Sequence, residues 1–155
     1  MSFLLERDAL NGKQGRAIAT IDGENKELFQ LKKLQTEAEF TEADFKVVGT
    51  TLVQKKTTGV NYTGTMTIYY GTPIFIRMVQ EYQKTGKVTF FDIQVENEDP
   101  ATSVGKQTVN FTNCKLSKIP LSILDADADF LEEEVSFSFT GVEVLDWFTD
   151  PAQLG

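Results

Sequence analysis

The chain predicts a mainly β fold, an antiparallel sandwich or barrel of about eight strands closed on one side by a single packed α-helix. Three observations carry this expectation. Segments rich in β-branched and aromatic residues alternate apolar and polar side chains with period two. Turn residues separate them, Asp22-Gly23 most clearly. Only residues 73–84 combine helical periodicity with start and stop signals at both ends.

In that segment Ile74, Phe75, Met78, Val79 and Tyr82 form one apolar stripe, with Arg77, Gln80, Glu81 and Gln83 on most of the other side. Thr72 is placed to N-cap the helix, and Pro73 suits the first helical position, where a missing N–H costs nothing. Lys84 sits against the carbonyl end and Gly86 supplies the left-handed residue that stops it. A helix this short is marginal alone. Burial worth about 1.5–3 kcal/mol per large side chain must hold it on a sheet.

The strands follow in order. Residues 1–15 lack periodicity and read as an arm whose apolar tip, Phe3, Leu4 and Leu5, needs a surface. Residues 16–21 form a strand, Asp22-Gly23 turns the chain, and residues 27–40 return. There Leu34, Thr36, Ala38 and Phe40 alternate with Lys33, Gln35, Glu37 and Glu39. Residues 41–44 match a capping box, but Phe45, Val47 and Val48 before Gly49 favour a strand. Residues 50–61 are polar and threonine-rich, an extended excursion expected to turn near Thr58-Gly59. Residues 62–70 and 87–95 are strands flanking the helix, and Asn97 to Pro100 ends the second. Residues 107–119 switch face between Phe111 and Cys114, which predicts a bulge near Asn113. Residues 120–129 are irregular, and 134–145 form the last strand before Trp147 and Phe148. The domain organisation is therefore an arm (1–15), one β-rich domain (16–148) carrying the 50–61 excursion, and a tail (149–155).

The 155 residues suffice for one domain, which at this size buries roughly 68–70% of its unfolded surface without metal or disulfide. No export signal or membrane span is legible, so synthesis in a cytoplasm is expected. Fifteen basic against 23 acidic residues give a net charge of −8, which argues against specific nucleic-acid binding. With no histidine and one cysteine, most catalytic and transition-metal sets are excluded, and no catalytic residue or cofactor is expected. Cys114 reads as a buried structural thiol. Asp125, Asp127 and Asp129 have calcium-loop spacing, but Phe130 and Ser136 stand where an EF-hand needs Gly and Glu. A solvated acidic turn is the expectation. Asn61-Tyr62-Thr63 and Asn110-Phe111-Thr112 spell glycosylation triplets that have no meaning without export.

Several motifs together resemble the tail tube proteins of contractile-tailed phages, in particular the form in PBSX-like defective prophages. They are the threonine-rich strand, the helix exit Glu81-Tyr82-Gln83-Lys84-Thr85-Gly86-Lys87, and Asn97 to Pro100. The acidic turn Asp125 to Asp129 and the strand Phe137 to Thr140 complete the set. The resemblance covers residues 15–148. It implies a tail tube fold and a structural role. Hexameric rings join their sheets edge to edge, and stacked rings form an inner tube that DNA passes without specific binding. A sheath wraps the tube, and tape-measure and baseplate proteins are further partners; no membrane is involved. The implied location is a virion or phage-like tail made in a bacterial cytoplasm. The resemblance places the helix on the outer face of the sheet and makes Lys33, Gln35, Glu37 and Glu39 candidate lumen residues. With −8 per subunit, a DNA-repelling lumen is expected.

Inter-subunit contacts are expected in three places. The arm offers Phe3, Leu4 and Leu5, and the chain end Trp147 and Phe148. The excursion offers Thr51, Leu52, Val53 and Val60 for ring stacking, with Lys55 and Lys56 meeting an acidic surface such as Asp125, Asp127 and Asp129 on the next ring. Two rivals remain: a secretion-system tube protein of the same architecture, and a monomeric β-barrel binding a small apolar ligand.

Overall fold

Strands β2 (Gly15–Ile21) and β3 (Glu24–Glu27) form the hairpin that Asp22-Gly23 predicts. Both turn residues have positive φ, 52° and 80°, as the tight turn between twisted strands requires. The computed structural model describes residues 3–28, 30–151 and 153–154; at Phe3, Gln153 and Leu154 it describes backbone only. The expected apolar side chain of Phe3 and parts of the expected arm, second strand and tail (residues 1, 2, 29, 152 and 155) lie outside the described residues.

The other strands are β4 (Leu31–Phe45), β5 (Gln54–Tyr69), β6 (Phe91–Glu98), β7 (Lys106–Lys118), β8 (Glu132–Phe139) and β9 (Gly141–Asp146). Two short strands, β1 (Phe3–Leu4) and β10 (Gln153–Leu154), pair with each other. The main sheet runs β3-β2-β6-β7-β8-β5-β4, all antiparallel, with β9 also on β7. β7 is where it folds over. Its first part pairs with β6 and β9, and Lys115 to Lys118 pair with β8. Asn113 has φ +56° at the switch, and β7 carries one extra residue against β6, so the predicted bulge is present. The fold brings two layers face to face. Phe91 meets Phe137 at 6.3 Å between ring centroids, and Phe111 meets Phe139 at 4.8 Å.

Helix α1 (Ile74–Thr85) closes the core with buried Phe75 and Met78. Gly86, at φ 74°, stops it as expected. Pro73 is the N-cap residue rather than the first helical one, and the Thr72 hydroxyl accepts the Ile74 amide at 3.4 Å. Tyr82, expected in the buried stripe, is 56% exposed and lines an open cleft with Val88 and Leu116.

Other boundaries also differ. Residues 87–90 after Gly86 are not strand, so β6 starts at Phe91. β8 and β9 are separate strands because the chain bends at Thr140 as it crosses from β5 to β7. The largest correction concerns the excursion. Residues 41–45 do continue as strand, but the chain turns at residues 46–53, not at Thr58-Gly59. Thr58 is instead the extra residue of a bulge between Thr41 and Glu42. A bulge and a turn both favour Thr-Gly chemistry, and sequence alone did not separate them.

Candidate functional site

β4 and β5 outrun the rest of the sandwich. β5 pairs with β4 from Gln54 to Ile68 but with β8 only from Tyr62 to Tyr69. The distal half is thus a two-stranded ribbon with no third strand among the described residues. Such a ribbon is marginal alone in water. Thr41 and Thr58 hydroxyls join across it at 3.1 Å, and Lys55 pairs with Asp44 at 3.3 Å. On its core-side face Phe40 opposes Val60 just beyond the core, 63% and 37% exposed, before Glu42 and Asp44 follow on β4. The tip adds exposed Val47, Val48, Leu52 and Val53. An apolar projection this size marks an interaction surface.

The expected contact residues divide into three places. Thr51, Leu52 and Val53 lie in the tip loop, and Lys55, Lys56 and Val60 on the ribbon. Asp125, Asp127 and Asp129 sit in the exposed loop between β7 and β8, where the Asp125 carboxylate accepts the Asp127 amide at 3.0 Å. That loop enters β8 at Glu132, opposite Tyr69, so it lies at the other end of β5 from the tip. Within one subunit the lysines and aspartates are kept apart. No group of three His, Cys, Asp or Glu is placed to hold a metal among the described residues.

The arm and chain end do come together. Leu4 and Phe148 line one cleft of about 380 Å³ with Leu10, Val104 and Pro151. Leu5 is half-buried, and Trp147 is 71% exposed. Asp8 anchors the arm, its carboxylate accepting the Ser103 amide at 2.9 Å and hydroxyl at 2.8 Å. These bonds hold its carboxyl below the ordinary value. Sequence reading missed Asp8, which carries no periodic signal. It also missed Glu133, although Glu133 falls in phase with buried Val135 and Phe137 on β8.

The polar face of the β4-β5-β8-β7 layer can be read from register. Lys33, Thr67 and Glu134 form one row; Gln35, Thr65, Ser136 and Lys118 the next. Glu37, Thr63, Ser138 and Lys115 make a third, with Glu39 and Asn61 beyond. Hydroxyls occupy its centre. Lysines 33, 115 and 118 balance glutamates 37, 39 and 134, and Glu132, next on the same face of β8, pairs with Lys32 at 2.6 Å, so the surplus negative charge does not reside on this face. Cys114 is fully buried, and burial pushes its thiol up to about 12, which makes it a packing group. Among the described residues no helix is long and apolar enough to cross a membrane.

A family model described as phage tail tube protein matches residues 2–146. The chain belongs to that family. It is 30% identical over 147 residues to phage-like element PBSX protein XkdM of Bacillus subtilis (strain 168), covering 95% of this chain and 97% of the relative. Tail tube folds recur in solved assemblies. A chain in the anti-feeding prophage tube-terminating cap gives a TM-score of 0.65 at 14% identity, covering 88% of this chain and 90% of the other. A chain in the extended sheath–tube complex of the PVC extracellular contractile injection system gives 0.63 at 14%, with the same coverage. The protein is a structural subunit of a phage tail tube. That assignment takes precedence over the secretion-system and monomeric ligand-binding alternatives.

Proposed function

We propose that copies of this tail tube protein close into six-fold rings, and that the rings stack into the inner tube of a contractile tail. The observation that carries the stacking is the bare ribbon of β4 and β5, with its apolar tip and open edges. One domain (16–148) builds the ring wall, while the arm, with Phe3, Leu4 and Leu5, and the tail, with Trp147 and Phe148, contact neighbours. The tip, with Thr51, Leu52, Val53 and Val60, reaches the next ring. Sheath, tape-measure and baseplate proteins are the remaining partners, after synthesis in the host bacterium. The role is structural and not catalytic.

The lumen in this reading is the hydroxyl-rich face. Its balanced charge supports passage of DNA without a fixed cationic surface to hold it. The −8 of the chain then lies on other surfaces. Replacing residues 47–52 by Asn-Gly keeps β4–β5 pairing and tests the stacking. Circular dichroism close to the parent, with tubes absent from negative-stain micrographs and at most single rings left, is the expected result. Long tubes from the shortened protein would overturn it.

A further inference from the structure

Opposite the ribbon, the sandwich ends in a buried carboxylate with no partner. Glu133 is 4% exposed, and its Oε1 has no hydrogen-bond donor among the described residues. Burial raises its carboxyl above the ordinary 4.5. Groups left this way are uncommon in folded proteins and ask for a donor. Glu133 lines a cleft of about 240 Å³ with Tyr70, Thr72, Ile76, Pro120 and Leu121. Leu121 is 61% exposed and Ile76 37%, so the cleft joins apolar rims to one acid.

The other end of the same strand supplies the complement. Lys46 adjoins the apolar tip and takes part in none of the ion pairs among the described residues. β5 runs from Gln54 beside the tip to Tyr69 beside Glu132. At about 3.3 Å per residue, its two ends are about 50 Å apart. One chain cannot bring Lys46 to Glu133. Two copies placed head to tail can, and such a contact repeats without closing.

We propose that the cleft at Glu133 receives the hairpin tip of a second copy, with the Lys46 ammonium donating to the Glu133 carboxylate and Val47 and Val48 on Ile76 and Leu121. The proposal rests on the tube reading and names the receptor that stacking uses. Asp125, Asp127 and Asp129 enter at the same end and supply the negative surface that Lys56 approaches.

Carbodiimide cross-linking of assembled tubes, prepared from mixed isotope-labelled and unlabelled protein, tests it directly. Mass spectrometry is expected to find an intermolecular Lys46–Glu133 link. Glu133→Gln and Lys46→Gln should each keep the subunit's circular dichroism and raise the concentration needed for tubes at least about tenfold. Absence of the link, or tubes from Lys46→Gln at the wild-type concentration, overturns the proposal. Lys46 lies in an exposed loop, so its variant decides even if Glu133→Gln folds poorly. If those results come while the Asn-Gly replacement still abolishes tubes, hairpin stacking stands and only the receptor is wrong. If that replacement also leaves tubes, both fall.

Discussion

The two halves of β5 are one strand under two sets of conditions. From Tyr62 to Tyr69 it lies between β4 and β8, with Gly64, Met66 and Ile68 buried. From Gln54 to Asn61 it has β4 alone and every residue is exposed. Backbone pairing with β4 continues through both halves, so that ladder does not distinguish them. The second ladder, to β8, and the packing that comes with it do. The proximal half is stabilised by its own subunit, and the distal half keeps its apolar residues for a neighbour.

Changes in the covered half should be the most damaging. Met78→Asp sets a charge under α1 against Phe75 and the sheet, where the side chain is 6% exposed. A loss of about 3–5 kcal/mol is expected, read as a fall in denaturant midpoint. Retention of full thermal stability would refute the packing role of the helix.

The two glycines of β5 sharpen the contrast. A Cβ on Gly64 would overlap the ring of buried Phe137, which is boxed in by Phe91 and Phe139. On Gly59 it would meet only the Thr41 hydroxyl at 3.2 Å, on the exposed ribbon. Gly64→Val should cost about 3 kcal/mol, and Gly59→Val less than about 1 kcal/mol, by thermal melting of dilute subunits. Equal costs would mean that the ribbon is packed in the monomer after all.

Glu133 gives the next smaller effect. Its folded pKa is raised, so the folded state binds its proton more tightly than the unfolded state does. Stability on this account is greatest below the ordinary 4.5 and falls as pH rises through the folded value. Glu133→Gln should remove that fall and stabilise the isolated subunit by about 1 kcal/mol at neutral pH. An unchanged pH profile of stability would show that the carboxylate is already satisfied.

What was legible in the sequence follows the same division. Period-two alternation and caps located Asp22-Gly23, α1 and the bulge at Asn113, since each depends on local backbone chemistry. The ends of β4 and β5 were not legible. Their residues 39–45 and 54–61 face solvent on both sides in one subunit, so no burial pattern marks strand from loop. Glu133 shows the reverse case. Its phase with Val135 and Phe137 was readable, but an acid at an inward position carries no instruction about what completes it.

The smallest effect on stability should accompany a large one on assembly. Val48 is fully exposed in the tip loop, so Val48→Asp removes no apolar burial and places its charge in water. The melting temperature of the dilute subunit should move by no more than about 0.5 kcal/mol of equivalent stability. In the tube the same position would lie against apolar side chains of the next copy, where a carboxylate is costly. Sedimentation should therefore show subunits or single rings at concentrations where the parent forms tubes. A clear fall in melting would mean that the tip packs on its own subunit. Tubes at the parent's concentration would mean that Val48 stays in solvent after stacking, and the contact would have to be sought along the open edge of β4 instead.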